Sequence, residues 1–174
     1  MMRLYLVRHA IAEELPEQFR FGDDLRALTA KGRNRFRRTA KRFARLGEPV
    51  RLICTSPLLR AVQTAELLAA AVGHDDVKVL DELRPDAAVD PLLARLAELG
   101  APSAALVGHK RLMRELAAAL AHVEAERIRF RRGAIARIDV RHLDDVASGK
   151  PLWWMAPSDD EVTPGLPLDE ALPA

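Results

Sequence analysis

The sequence predicts an α/β protein, a three-layer α/β/α sandwich on a mostly parallel sheet. Short apolar runs alternate with longer segments of helical period along most of the chain, which is how parallel sheets are wound. The 174 residues fit one compact domain, and an apolar content of 49% supplies its core.

The elements follow in order. Residues 3–7 (RLYLV) predict a buried strand. Residues 11–29 are polar, turn-like and rich in Glu and Asp. Residues 31–46 predict a helix, with Phe36, Ala40 and Phe43 on one face and Arg and Lys on the other. Gly47 and Pro49 end it. Residues 50–55 (VRLICT) predict a second strand. Ser56 and Pro57 suit the N-cap and first position of a helix whose core face is Ala61, Ala65, Leu68 and Val72. Residues 77–80 predict a third strand. A helix from Asp90 and Pro91 to Leu99 is closed by Gly100. Residues 104–108 predict a fourth strand, followed by a helix from Arg111 to Ala121. Residues 127–131 and 134–140 predict paired strands around Gly133.

Composition narrows the function. A wholly disordered chain, a collagen-like chain and a disulfide scaffold are excluded. The 27 Lys and Arg against 25 Asp and Glu leave a net charge of +2, which argues against a dedicated nucleic-acid binder. The single Cys54 fits a reducing, cytoplasmic setting. The apolar run at the N-terminus is too short for a signal peptide, and charges interrupt every longer run, so no transmembrane segment is expected. The last 18 residues hold four Pro and five acids. The expected division is a domain over 1–156 and an acidic tail over 157–174.

In open α/β sheets, sites lie beyond the C-terminal strand ends. Arg8 and His9 follow the first predicted strand, Ser56 to Arg60 the second, Glu82 and Arg84 the third, and His109 the fourth. Arginine forks suit phosphate oxygens. A neutral histidine is a nucleophile near pH 7, and a second one can donate to phosphoryl oxygens. Glu82 could protonate a leaving group if burial or nearby carboxylates raised its pKa, although arginines pull it down. Arg84 suits a surface salt bridge as well as a substrate contact. This set suffices for two-step phosphoryl transfer through a phosphorylated histidine, with no metal or cofactor.

These residues also resemble a known family. Arg8-His9-Ala10 is similar to the Arg-His-Gly signature of the histidine phosphatase superfamily, and Leu28-Thr29-Ala30-Lys31-Gly32 to its Leu-Thr-x-x-Gly element. Residues 56–65 (SPLLRAVQTA) resemble its Ser-Pro-x-x-Arg-Ala-x-x-Thr-Ala segment. Glu82-Leu83 and Val107-Gly108-His109 resemble its acidic and second-histidine segments. The resemblance implies a phosphoglycerate mutase-like fold. It implies His9 as the phosphorylated nucleophile, Arg8, Arg60 and His109 as the phosphoryl clamp, and Glu82 as proton donor. The small size and the Arg-His-Ala start resemble the SixA branch, which implies a phosphohistidine on a partner protein such as a phosphotransfer domain. Two departures stand out: Ala10 replaces a Gly, and Lys110-Arg111 follows His109. No long insertion separates Glu82 from His109, so little chain is left for a specificity cap.

Other readings remain. The same histidine could serve a small phosphomonoesterase or mutase acting on a sugar or glycerate phosphate. Cys54-x5-Arg60 fits the spacing of a cysteine-based phosphatase loop, but that loop lacks glycine and holds two leucines; a buried strand cysteine is the alternative. A metal site of His9, His109 and an acid is disfavoured by the arginines around it. The basic helix 31–46 suggests a non-enzymatic module binding nucleic acid or an acidic membrane, against a plainly solvated face. Trp153 and Trp154 suit either the core or the pocket rim.

Overall fold

The computed structural model describes residues 1–15, 22–143, 149–157 and 159–169. The segment expected as polar turns and the tail both lie partly outside these residues. A seven-stranded sheet runs through the middle of the molecule. Its strands are β1 (Met2–Arg8), β2 (Leu52–Thr55), β3 (Lys78–Val79), β4 (Ser103–Gly108), β5 (Ile135–Val140), β6 (Gly149–Met155) and β7 (Thr163–Pro164), in the order β3-β2-β4-β1-β5-β6-β7. The first four in that order are mutually parallel, and β5 to β7 extend the sheet antiparallel. The sheet is therefore mixed.

Period-2 alternation builds two cores. Tyr5, Val7, Ile53, Ala105 and Val107 face α1 (Ala30–Arg45) and α2 (Leu59–Val72), meeting Phe36, Ala40, Phe43, Ala65 and Leu68. Leu4, Leu6, Cys54, Ala104 and Leu106 face the other way. They meet Leu92 and Leu96 of α3 (Val89–Leu99) and Leu112, Met113 and Leu116 of α4 (Lys110–Ala121). This is the expected α/β/α layering. Gly73 and Gly100 close α2 and α3 in the left-handed conformation, with φ of 69° and 61°. Among the described residues, no helix is long and apolar enough to cross a membrane.

Three local expectations are corrected. Ser56 does not cap α2, which starts three residues later with Leu58 at its N-cap. Ser56 N instead extends the ladder to Val107 O at 3.0 Å, and its hydroxyl is used elsewhere. Residues 127–131 are not a strand: a 3-10 turn covers Ala125–Arg127, and Ile128 makes an isolated bridge to Leu168. The partner of β5 is β6. Trp153 and Trp154 are consecutive β6 residues on opposite faces, so each joins a different core. The expected tail is laid along the surface over residues 163–169: β7 pairs with Trp153 and Trp154, and Asp169 N donates to Arg127 O at 2.7 Å.

Candidate active site

Strand register sets the site. Arg8 pairs with Gly108 across β1 and β4, and Thr55 pairs with Val107 across β2 and β4. The next residues of β1 and β4, His9 and His109, therefore emerge level with each other at the C-terminal end of the sheet, with Ser56 one residue below them beside Gly108. His9 N continues the ladder to Gly108 O at 2.9 Å. The N-termini of α2 and α4 begin there too, with His109 at the N-cap of α4 and no side chain capping it. Two helix N-termini converging on one point favour an anion.

His9 and His109 are 8% and 5% exposed, with ring centroids 5.2 Å apart. His9 Nδ1 is 2.7 Å from Ala10 O. A carbonyl oxygen only accepts, so Nδ1 carries the proton and Nε2 carries the lone pair of the neutral ring. Burial holds His9 down at about 3, opposed by the bond to Ala10 and helped by His109, Arg60 and Arg8. His109 Nε2 lies 2.9 Å from Ser56 Oγ. Burial and then the Arg60 charge push His109 down to about 4. Both rings are neutral near pH 7.

Arg8 ends β1 and donates from Nη1 to Phe130 O at 2.7 Å. Burial, with Arg132 nearby, lowers it to about 10, so it remains a cation near neutral pH. Arg60 is 3% exposed. Its Nη1 donates to Asp23 O at 2.7 Å and its Nη2 to Asp23 Oδ2 at 2.9 Å. The other carboxylate oxygen of Asp23 meets Arg26 Nη2 at 3.1 Å. One carboxylate thus spans two arginines. Burial lowers the Arg60 pKa, and Asp23 offsets part of that. The Nε atoms of Arg8 and Arg60 are buried without a partner. The charges of both guanidinium groups act on His9 and His109.

The structure brings Arg8, His9, Arg60 and His109 together. Glu82 is placed on the side of α3. Glu82 lies in the 3-10 turn Asp81–Leu83, where Leu83 is fully buried near Gly108. With Leu83 seated in the core, Glu82 lines a cleft with Pro91, Ala94, Arg95 and Glu98. Arg84 bridges Asp81 at 3.0 Å and Asp24 at 3.4 Å. Arg111 donates to Pro85 O at 3.2 Å and Ala87 O at 2.8 Å, fastening that loop. Burial pushes the Cys54 thiol up to about 12, which removes it as a nucleophile. Among the described residues, no three His, Cys, Asp or Glu side chains gather as a metal site.

The residues of α2 lock the neighbouring loops. Thr64 Oγ1 donates to Arg60 O at 2.7 Å and accepts from Ala10 N at 3.1 Å. Gln63 Oε1 accepts from Leu28 N at 2.7 Å. Thr29 Oγ1 caps α1 by accepting from Gly32 N at 2.8 Å, and Thr29 N donates to Ile11 O at 3.0 Å. Asp23, Thr64 and the Ser56 hydroxyl are the site members that strand-end reasoning left without a role. Only Thr64 and Ser56 carried a signal, their places in the segment 56–65.

The histidine phosphatase superfamily (branch 1) profile matches residues 4–85. An uncharacterized protein of Picosynechococcus sp. is 42% identical over 123 residues, 69% of this chain and 73% of that one. The fold superposes on the protein histidine phosphatase SixA complexed with tungstate, with a TM-score of 0.78 and 26% identity, covering 90% of this chain and 97% of that one. The alpha-ribazole phosphatase of Shigella flexneri shares the fold, with a TM-score of 0.62 and 20% identity over 82% of this chain and 92% of that one. The chain belongs to the histidine phosphatase superfamily, in its SixA-type branch, and is a phosphatase.

Proposed function

We propose that the protein hydrolyses a phosphohistidine carried by another protein, through a phosphoryl group held on His9. The observation that carries this reading is the His9 ring, neutral, fixed through Nδ1 and lying within the field of the Arg60 and Arg8 charges. The Nε2 lone pair forms a bond to phosphorus as the P–N bond of the substrate breaks. A substrate imidazole protonated on its other nitrogen leaves as neutral imidazole. Water then attacks phosphorus, the bond to His9 breaks, and one proton passes to solvent. Arg8, Arg60 and His109 hold the developing charge.

The carboxylates favour this leaving group. An ester oxygen needs a proton as it departs. Glu82 faces α3, and Asp23 is engaged as an acceptor between Arg60 and Arg26. Transfer from one imidazole to another needs no such acid. We assign the phosphatase unit to residues 1–156 with 157–174 as its acidic tail, and a reducing, cytoplasmic setting from the free Cys54.

The second reading, a small-molecule phosphomonoesterase, draws on the fold shared with the alpha-ribazole phosphatase. A kinetic panel separates the two. Protein phosphohistidine should exceed sugar phosphates, phosphoglycerate and p-nitrophenyl phosphate in kcat/KM; equal or better turnover of an ester would overturn the preference.

A further inference from the structure

The strongest feature outside the histidine pair is the outer face of α1. Its 16 residues include eight Lys or Arg and no acid. Phe36, Thr39, Ala40 and Phe43 turn inward, so the cations cover the other side. Arg35, Arg38, Lys41, Arg42 and Arg45 line a cleft of about 520 Å³, closed on its far side by Pro157 and Asp160. Asp160 reaches Arg42 at 3.9 Å. Among the described residues, the side chains of Arg35, Arg38, Lys41 and Arg45 form no ion pair or hydrogen bond.

Pro157, which lines this cleft, lies close to a turn that is hydrogen-bonded to the His9 loop. A side-chain carbon at Gly133 would lie 3.2 Å from Pro157, 3.3 Å from Phe36 and 3.9 Å from Ala10 Cα. Gly133 N also donates to Arg8 O at 2.9 Å and to His9 O at 3.2 Å. The Gly133 turn thus lies between the His9 loop and Pro157 of the basic cleft. From Arg35 to Arg45 the cleft runs about 15 Å, at 1.5 Å per residue. A partner engaged at His9 can lay roughly three helical turns along it.

We propose that this cleft docks the acidic face of the phosphohistidine-bearing partner, a surface of Asp and Glu beside its phosphorylated histidine. The inference rests on the phosphohistidine reading above. Charge complementarity supports it, and the cleft already takes a carboxylate from its own chain at Arg42. The aromatic residues argue against the other anionic occupants. Phe36 and Phe43 are fully buried, so neither offers a ring for stacking bases, and beside Arg42 and Arg45 the exposed Leu46 sits among Asp159, Asp160 and Glu161, carboxylates that an anionic bilayer would repel. What remains over Arg35, Arg38 and Lys41 is an ionic surface, suited to steering and orienting an acidic protein.

The test uses the full chain and the triple variant Arg38→Glu, Lys41→Glu, Arg45→Glu. The substrates are a histidine-phosphorylated phosphotransfer domain with carboxylates flanking its phosphohistidine, and free phosphohistidine. At low salt the triple variant should lose about tenfold or more in kcat/KM on the protein, mainly through KM. It should hydrolyse free phosphohistidine like the parent, which also shows that it folds. Salt should weaken the parent on the protein substrate and barely affect the variant, while Arg38→Lys with Arg45→Lys should behave as the parent. Unchanged, salt-insensitive turnover of the protein substrate by the triple variant overturns the docking proposal alone. Failure of the parent on both phosphohistidine substrates overturns the phosphohistidine reading and docking with it. Retention of RNA or of phosphatidylserine vesicles by the parent at physiological salt, without any effect of the triple variant on the protein substrate, overturns it in favour of those occupants.

Discussion

His109 Nε2 and Ser56 Oγ lie 2.9 Å apart across 53 residues of sequence. The parallel register of β2 on β4 places them there. The bond fixes the ring and leaves Nδ1 as the nitrogen free for a phosphoryl oxygen. Ser56→Ala should lower kcat about tenfold to a hundredfold, because the ring loses its orientation. It should also cost about 1–3 kcal/mol of stability, the penalty for a buried polar atom without a partner. Steady-state kinetics beside thermal unfolding checks this; parental kcat would remove His109 from the proposed clamp.

Both histidines sit far below the ordinary imidazole range, chiefly through burial. Ring titration by NMR should find His9 and His109 neutral down to about pH 5, and a midpoint near 6.5 for either would contradict the buried, cation-lined site. The stability consequence has a definite sign. Between about pH 6.5 and 4 the unfolded chain binds protons at these positions and the folded chain does not. Stability should therefore fall as pH drops through that window, and His9→Gln with His109→Gln should flatten the slope.

Asp23 occupies the Arg60 fork and also meets Arg26. A phosphoryl dianion must share those cations with a carboxylate, and like charges repel. Asp23→Asn should tighten binding of orthovanadate about threefold to tenfold, a change of roughly 1 kcal/mol. Calorimetry or inhibition kinetics measures it. Weaker binding would mean that the carboxylate serves chiefly to hold Arg60 in place.

Gly32 is where α1 meets the loop after His9. A side-chain carbon at that position would overlap the carbonyl oxygen of Ile11, a backbone atom that cannot swing aside. Gly32→Ala should destabilise the protein by about 2 kcal/mol or more despite the better helix propensity of Ala, because strain outweighs propensity here. Denaturant unfolding decides it, and a stabilised variant would contradict the contact.

The layers, and the gathering of Arg8, His9, Arg60 and His109 as candidate site residues, were legible because they follow from strand ends. Once β1, β2 and β4 are parallel and in register, Arg8, His9 and His109 must share an edge, and Arg60 sits in the first turn of the helix after β2. The side on which Glu82 lies was not legible, because it depends on which residue of a three-residue turn fills the core, and Leu83 does. Residues 127–131 misled through the alternation of Ile128 and Phe130. Both are buried, yet the ladder beside β5 belongs to β6, which holds Pro151 and pairs with β5 through a register shift at Arg137 and Ile138. Asp23 gave no signal, since nothing in a polar segment marks the one carboxylate that will reach Arg60 from 37 residues away.

The most direct test of the central claim is to trap the phosphorylated protein from a labelled phosphohistidine substrate, with alkaline quench and peptide mapping. The account predicts a phosphoramidate on His9, stable in base, lost in mild acid and absent from His9→Ala. An acid-stable label on Cys54, or a label that persists in His9→Ala, would contradict it.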